Sequence, residues 1–165
     1  MNDLERDNIP SLSNAFKSIF ASQMHGVHTM LPGKVTEFNA TTQRATIALG
    51  PAPVMVDGTV NPYPPIIDVP IQYQRFGGYV LAMPVTAGDS VAVFFSERSL
   101  DTWLRNGTPG EAPAETRFFN LADAFAVPGL YPSAAALDAT TASSGLWLKS
   151  EDGTVSIRAR GNAVA

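Results

Sequence analysis

The chain has 165 residues, of which 45% are hydrophobic and 16% charged, and its net charge is −4. This length fits one ordinary domain with extensions or two small domains, and the apolar fraction argues against wholesale disorder. The eleven Lys and Arg residues are scattered, whereas a nucleic-acid surface needs them clustered. The absence of Cys excludes thiolate catalysis, disulfides and Cys-ligated zinc. Thirteen Gly and thirteen Pro residues favour short strands and turns over long helices.

The N-terminal region predicts one helix ahead of a strand-rich body. Residues 9–24 carry apolar side chains at helical spacing, and Ser11 or Ser13 is the expected N-cap. Residues 1–30 are therefore predicted to form a helical extension. Its apolar stripe packs either on the body or on a neighbouring subunit, and the sequence leaves both open. Since no signal peptide or membrane span is evident, we expect synthesis in the cytoplasm.

Short extended runs predict a body of five or six strands, and two of these runs, residues 34–38 and 44–49, alternate polar and apolar residues. The predicted extended runs are residues 34–38, 44–49, 54–60, 66–71, 79–83 and 90–95. Short strands joined by Gly and Pro turns favour a small closed barrel such as an OB-fold, because closure removes exposed strand edges. Residues 96–104 predict a short helical turn or a loop, residues 105–117 a loop, and residues 121–130 a compact apolar segment.

The C-terminal region predicts a linker and then a strand hairpin. Residues 131–145 are rich in Ala, Ser and Thr and have little to pack, which is typical of a linker. Ordering about twenty further residues costs on the order of 30 kcal/mol, whereas each buried Val, Leu or Ile returns about 1.5–3 kcal/mol. Because a lone two-stranded hairpin is marginal, we expect other chains to complete it. The predicted contacts between chains are Leu146, Leu148, Val155, Ile157 and Ala159.

Residues that could support catalysis are sparse. His25 and His28 have a spacing that zinc sites use, but no third ligand is evident, so a packing or surface role is favoured. We predict no catalytic residue, no metal and no cofactor, and hence a protein that is not an enzyme. Tyr73, Phe76 and Tyr79 are candidates for stacking bases on an OB-type face. Without a basic groove, packing in the core or at an interface is the preferred interpretation.

Several runs, in this order and spacing, resemble the phage baseplate central-spike proteins of the Gp138 type, which are related to the gpV-like spikes. The resemblance covers roughly residues 20–130. The runs that carry it are His28–Val35, Ala87–Val91, Phe95–Trp103, Arg117–Ala124 and Val127–Leu130.

The resemblance implies a mainly β homotrimer in the virion, at the tail baseplate. Residues 31–130 would be an OB-fold-like domain that docks on a hub protein, and residues 146–165 would begin an intertwined trimeric β-helix or β-prism. Such a spike helps to puncture the host outer membrane when the tail contracts, and it has no nucleic-acid partner. Related spikes often end in an iron-binding H-x-H apex. This chain has no His after position 28, so we expect a separate spike-tip protein at its C-terminal end.

Two other functions are considered. An OB-fold module that binds single-stranded nucleic acid or glycan would require a basic groove. A cell-wall hydrolase fused to a spike-like domain would require a catalytic domain, and too few residues remain outside the body to form one.

Overall fold

The computed structural model describes residues 12–143 and 145–159. The chain divides into two compact units, residues 1–130 and residues 131–165. The first unit contains α1 (Leu12–Met24), β1 (Met30–Asn39), β2 (Arg44–Leu49), β3 (Ile66–Pro70), β4 (Gln74–Phe76), β5 (Tyr79–Leu81), β6 (Ser90–Phe95), α2 (Asp101–Asn106) and β7 (Ala124–Pro128). The second unit contains a 3-10 helix (Ser133–Ala135), α3 (Ala139–Ser143), β8 (Leu146–Lys149) and β9 (Ser156–Ala159).

The N-terminal helix confirms the predicted helix over residues 12–24. Residues 9–11, including the expected cap Ser11, lie outside the described residues. Ser13 lies within the helix, so it is not the N-cap. None of the described residues of α1 is buried.

A five-stranded antiparallel sheet forms the body of the first unit, in the order β3-β2-β1-β6-β7. The long β1 strand is central: it pairs with β2 along one edge and with β6 along the other. The ladders shift register between Val35 and Glu37 and between Ala45 and Ile47. Because such irregularities bend and twist strands, they let the sheet curl.

Curling brings the two edge strands of this sheet together. Ile71, just beyond β3, forms a parallel bridge with Ala126 of β7, and the Gln72 amide donates to the Ala126 carbonyl at 2.8 Å. The prediction of a small barrel-like β body is therefore confirmed. Full closure is not seen among the described residues. A proline lacks the N–H that a ladder needs, and Pro70 and Pro128 end the two edge strands.

The core lies inside the curl and contains small and branched apolar side chains. Val35, Ile47, Val91 and Val93 are fully buried there. Gly33 permits β1 to approach β2, because a Cβ at this position would lie 2.7 Å from the Ile47 Cγ2 atom. The strands β1, β2 and β6 were predicted correctly, the first two from their alternation and β6 from its apolar run.

The strand predicted over residues 79–83 does not join the sheet. Its β5 part pairs with β4 in a separate two-stranded hairpin. Gly77 and Gly78 have φ values of 56° and 80°, as a tight two-residue hairpin turn requires, so β5 pairs with its nearest neighbour in sequence. The fifth strand of the sheet is β7, which lies in the segment predicted only as compact and apolar. The run over residues 54–60 forms a single bridge between Val54 and Val60.

An ion-pair network connects the start of α2 to the loop before β7. Asp123 is buried, with 1% of its surface exposed, and its carboxylate accepts hydrogen bonds from Arg117 Nε at 2.9 Å and from the Leu100 amide at 3.0 Å. Arg117 Nη2 also contacts Asp101 Oδ2 at 3.0 Å. The Arg117 hydrogen bonds hold the pKa of Asp123 below its ordinary value, and the same contacts raise the pKa of Arg117. The network holds residues 96–104, which the sequence predicted as a helical turn or a loop. In the structure α2 begins within this region.

The second unit is small and consists of short elements. The predicted linker contains the 3-10 helix and α3, and Asp138 accepts hydrogen bonds from the Thr141 amide at 2.8 Å and from its hydroxyl. The predicted C-terminal hairpin is present as β8 and β9. An intertwined trimeric continuation is not seen, because the structure contains a single chain.

Candidate functional site: assembly surfaces

The C-terminal hairpin leaves its predicted interface residues uncovered in a single chain. Leu146, Leu148, Val155 and Ile157 are between 42% and 75% exposed. Leu148 lies directly opposite Ile157, so the two side chains share one face of the hairpin. Ala159 is described by its backbone, which pairs with Leu146.

The other face and the turn of this hairpin are held by local contacts. The Arg158 guanidinium lies 4.3 Å from the centroid of the Trp147 ring. In the turn, the Asp152 carboxylate accepts hydrogen bonds from the Ser150 hydroxyl at 2.5 Å and from the Thr154 amide at 3.0 Å. The hydrogen bond from the Ser150 hydroxyl contributes most to lowering the pKa of Asp152. These contacts lie in the turn and on the face opposite Leu148 and Ile157, so they do not cover the apolar face of the hairpin.

A second uncovered surface is the apolar stripe of α1, which we call the helix stripe. Its members are 49–74% exposed. The helix stripe consists of Leu12, Phe16, Ile19, Phe20 and Met24. The sequence left two positions open for this stripe, the body of the same chain or a neighbouring subunit. The structure does not show the stripe packed on the body of the same chain.

A third uncovered surface is the outer face of the β4–β5 hairpin, which we call the hairpin face. Phe76 lies opposite Tyr79 in the register, and Leu81 lies on the same side two residues further along. These three side chains are 45–82% exposed. Phe76 and Tyr79, for which the sequence favoured core or interface packing, are thus not in the core of the chain.

The inner side of the same hairpin borders an open groove of about 670 Å³. Phe38, Tyr73, Val80 and Met83 give the groove mainly apolar walls, and among the described residues Arg75 is its basic side chain. Tyr73 packs against the core, unlike the two other candidate stacking aromatics. The groove therefore differs from the basic, aromatic channel that single-stranded nucleic-acid binders use.

The loop over residues 54–60 also exposes apolar side chains. Asp57 Oδ1 accepts hydrogen bonds from the Thr59 hydroxyl at 2.6 Å and from the Thr59 amide at 2.9 Å. The hydroxyl bond first, and then the amide bond, lowers the pKa of Asp57. Val56 at the tip is fully exposed. The loop is short and lacks the paired strands of the hairpin face.

The two histidines do not form part of a metal cluster in the described residues. No group of three or more His, Cys, Asp or Glu side chains able to hold a metal occurs there. The His28 ring packs with its centroid 5.8 Å from those of Tyr63 and Phe95, and its amide donates to the Phe119 carbonyl at 3.1 Å. Nor is any helix in the described part long and apolar enough to cross a membrane.

The matched family places this chain among phage proteins. The family described as phage protein Gp138 N-terminal domain matches residues 31–129, a range that runs from the second residue of β1 to just beyond the end of β7. The chain belongs to this family. This confirms the resemblance inferred from the sequence, and it makes the chain a phage structural protein and a component of the virion. A comparison with curated proteins found no match.

The Gp138 family match covers both segments that the ion-pair network joins, residues 95–103 and residues 117–124. Ser99 and Asp101 lie in the first segment, and Arg117 and Asp123 in the second. Sequence reasoning did not single out Asp123. The charged Asp123 immediately before the apolar residues 124–128 was the available signal, since a carboxylate beside a buried strand needs a partner.

Proposed function

We propose that this Gp138-family chain is the trimeric central spike of a tail baseplate. Three copies of the first unit dock on the hub protein, and their C-terminal hairpins combine into a β-helix or β-prism directed at the host. A separate tip protein is the expected partner beyond the hairpins. The spike acts mechanically, without catalysis or a cofactor, and helps to breach the outer membrane on tail contraction.

The observation that carries this proposal is the uncovered apolar face of the C-terminal hairpin. An isolated two-stranded hairpin is marginal in water, yet Leu146, Leu148 and Ile157 point their apolar surface outward. Two further copies of the same chain would bury this face and pair the open edges of β8 and β9. The family match supports a phage setting for such an assembly.

The position of the protein in the virion tests this function. Purified phage particles would be labelled with gold-conjugated antibodies raised against residues 131–165 and against the whole chain, and examined by electron microscopy. We expect both labels at the centre of the baseplate. Labelling along the tail tube or on the capsid, or the absence of the chain from purified particles, would contradict the proposal. Antibodies preincubated with the purified chain provide the control.

A further inference from the structure

We propose that the helix stripe of one copy packs on the hairpin face of a neighbouring copy. This inference rests on the proposed trimer and names a contact within it that is separate from the C-terminal hairpin. Both surfaces belong to the first unit, and both are apolar and exposed in a single chain.

Each of the two elements needs a partner of the kind that the other provides. Isolated helices shorter than about 12–15 residues are marginal in water, and α1 has 13 residues with none buried. A two-stranded hairpin becomes stable when it gains a third strand or packs against a helix. The hairpin face presents Phe76 and Tyr79 for such packing. One contact between α1 and the hairpin would therefore stabilise both elements.

The shape of the helix stripe favours a sheet as its partner over other copies of α1. Its members recur at intervals of four, three, one and four residues, which gives a broad stripe. A broad stripe is typical of a helix that covers a core, whereas a coiled-coil seam is narrower.

The contact would bury little charge. Lys17 is the charged residue of α1 in the described range and lies beside the helix stripe, where its stem can cover apolar surface while the ammonium stays in water. Arg75 lies on the opposite side of the β4–β5 hairpin, facing the groove. Neither charge has to lose its water when the surfaces meet, so no unpaired charge opposes the contact.

The partner is a second copy because the two surfaces do not cover one another within the chain. Every member of the helix stripe is at least 49% exposed and every member of the hairpin face at least 45%. A contact between a helix on one copy and a hairpin on the next joins two different surfaces. Such a heterologous contact closes into a ring when three copies are related by a three-fold rotation.

Cysteine cross-linking of the 165-residue chain tests this contact, because its sequence has no Cys. The variant Phe16→Cys, Tyr79→Cys would be treated with a short bismaleimide and analysed on a denaturing gel. Both side chains are exposed in the chain, so the substitutions spare its core. We expect covalent dimers and trimers at several-fold higher yield than in the matched control Phe16→Cys, Val56→Cys. The control places its second thiol on the exposed loop over residues 54–60.

Four cross-linking results would overturn the inference. Dimers of the single variant Phe16→Cys at the same yield would mean that the helices pack on each other. A monomer band carrying one cross-linker that bridges both thiols would mean that α1 covers its own hairpin. Equal yields in the Val56 control would mean that the contact is not selective. If light scattering gives a trimer but the double variant does not cross-link, this contact is wrong and the spike proposal stands. A monomer contradicts the spike proposal itself.

Discussion

At the scale of single residues, Asp123 is the side chain on which the loop before β7 most depends. It is buried, and its oxygens receive hydrogen bonds from the Arg117 guanidinium and the Leu100 amide. A buried carboxylate without these donors would be strongly disfavoured. The network therefore joins two distant stretches of the family match through one charged group.

Replacing this carboxylate is expected to lower the free energy of unfolding. Asp123→Asn keeps the shape but removes the charge and one acceptor, so the variant should lose about 1.5–3 kcal/mol. Urea unfolding at a fixed protein concentration would measure this loss. Asp138→Asn is the matched control, because its carboxylate is exposed and Asn also accepts a hydrogen bond from the Thr141 amide. Equal losses in the two variants would contradict the role of Asp123.

The same carboxylate predicts a specific response to acid. Hydrogen bonds from Arg117 lower the pKa of Asp123 in the folded chain below its ordinary value of 3.8. Its stabilising effect is therefore complete above that value and is lost as the pH falls toward the folded pKa. In thermal unfolding, the difference in Tm between the natural chain and Asp123→Asn should shrink below about pH 4. A difference that grows in acid would count against this assignment.

Sequence alone could predict some of these residue roles. Alternation predicted strands over residues 34–38 and 44–49, and the structure confirms both, with Val35 and Ile47 buried on their inner faces. The Arg117–Asp123 pair was missed because burial of a charge depends on tertiary neighbours, and sequence spacing does not reveal them. For His28 the sequence favoured a packing or a surface role, and the ring contacts with Tyr63 and Phe95 show packing.

At the scale of elements, the close approach of β1 and β2 depends on Gly33. A Cβ there would lie 2.7 Å from the Ile47 Cγ2 atom and 3.0 Å from the Ala48 carbonyl oxygen, and that backbone cannot yield easily. Gly33→Ala should therefore destabilise the chain by about 1–3 kcal/mol, as measured by urea unfolding. Gly26→Ala is the control, since its nearest neighbour would be at 3.5 Å. If Gly33→Ala leaves the free energy of unfolding unchanged, the sheet can relax around the added Cβ and the close approach does not depend on Gly33.

The C-terminal hairpin carries the prediction about assembly. Leu148→Lys with Ile157→Lys places two like charges opposite one another on the apolar face, which opposes burial of that face. We expect the double variant to lose its trimeric mass in light scattering. Lys149→Glu on the other face is the control and should remain trimeric. Retention of the trimer by the double variant would mean that this face is not an interface.

The elements themselves were predictable where a strand has one buried and one exposed face. β1 and β2 alternate polar and apolar residues, whereas β7 reads Ala-Phe-Ala-Val-Pro and has no polar residue to mark its outer face. Its pairing with β6 is a long-range contact that local pattern cannot specify. The separate β4–β5 hairpin follows from the turn at Gly77 and Gly78, but its position off the sheet required the structure.

At the scale of the whole molecule, the chain has a small core and several uncovered apolar surfaces. The helix stripe, the hairpin face and the C-terminal hairpin are all exposed in a single copy. Contiguous exposed apolar patches mark interaction sites in soluble proteins. Assembly of identical chains accounts for all three surfaces at once, and a spike built from three copies is the assembly that the family resemblance implies.

The molar mass of the purified 165-residue chain in solution tests the trimeric assembly most directly. Light scattering coupled to size-exclusion chromatography would be carried out over a range of protein concentrations. The account predicts a mass of about 52 kDa, three times the 17.5 kDa of one chain. A mass of 17.5 kDa at every concentration, with the C-terminal hairpin still ordered by NMR, would contradict it.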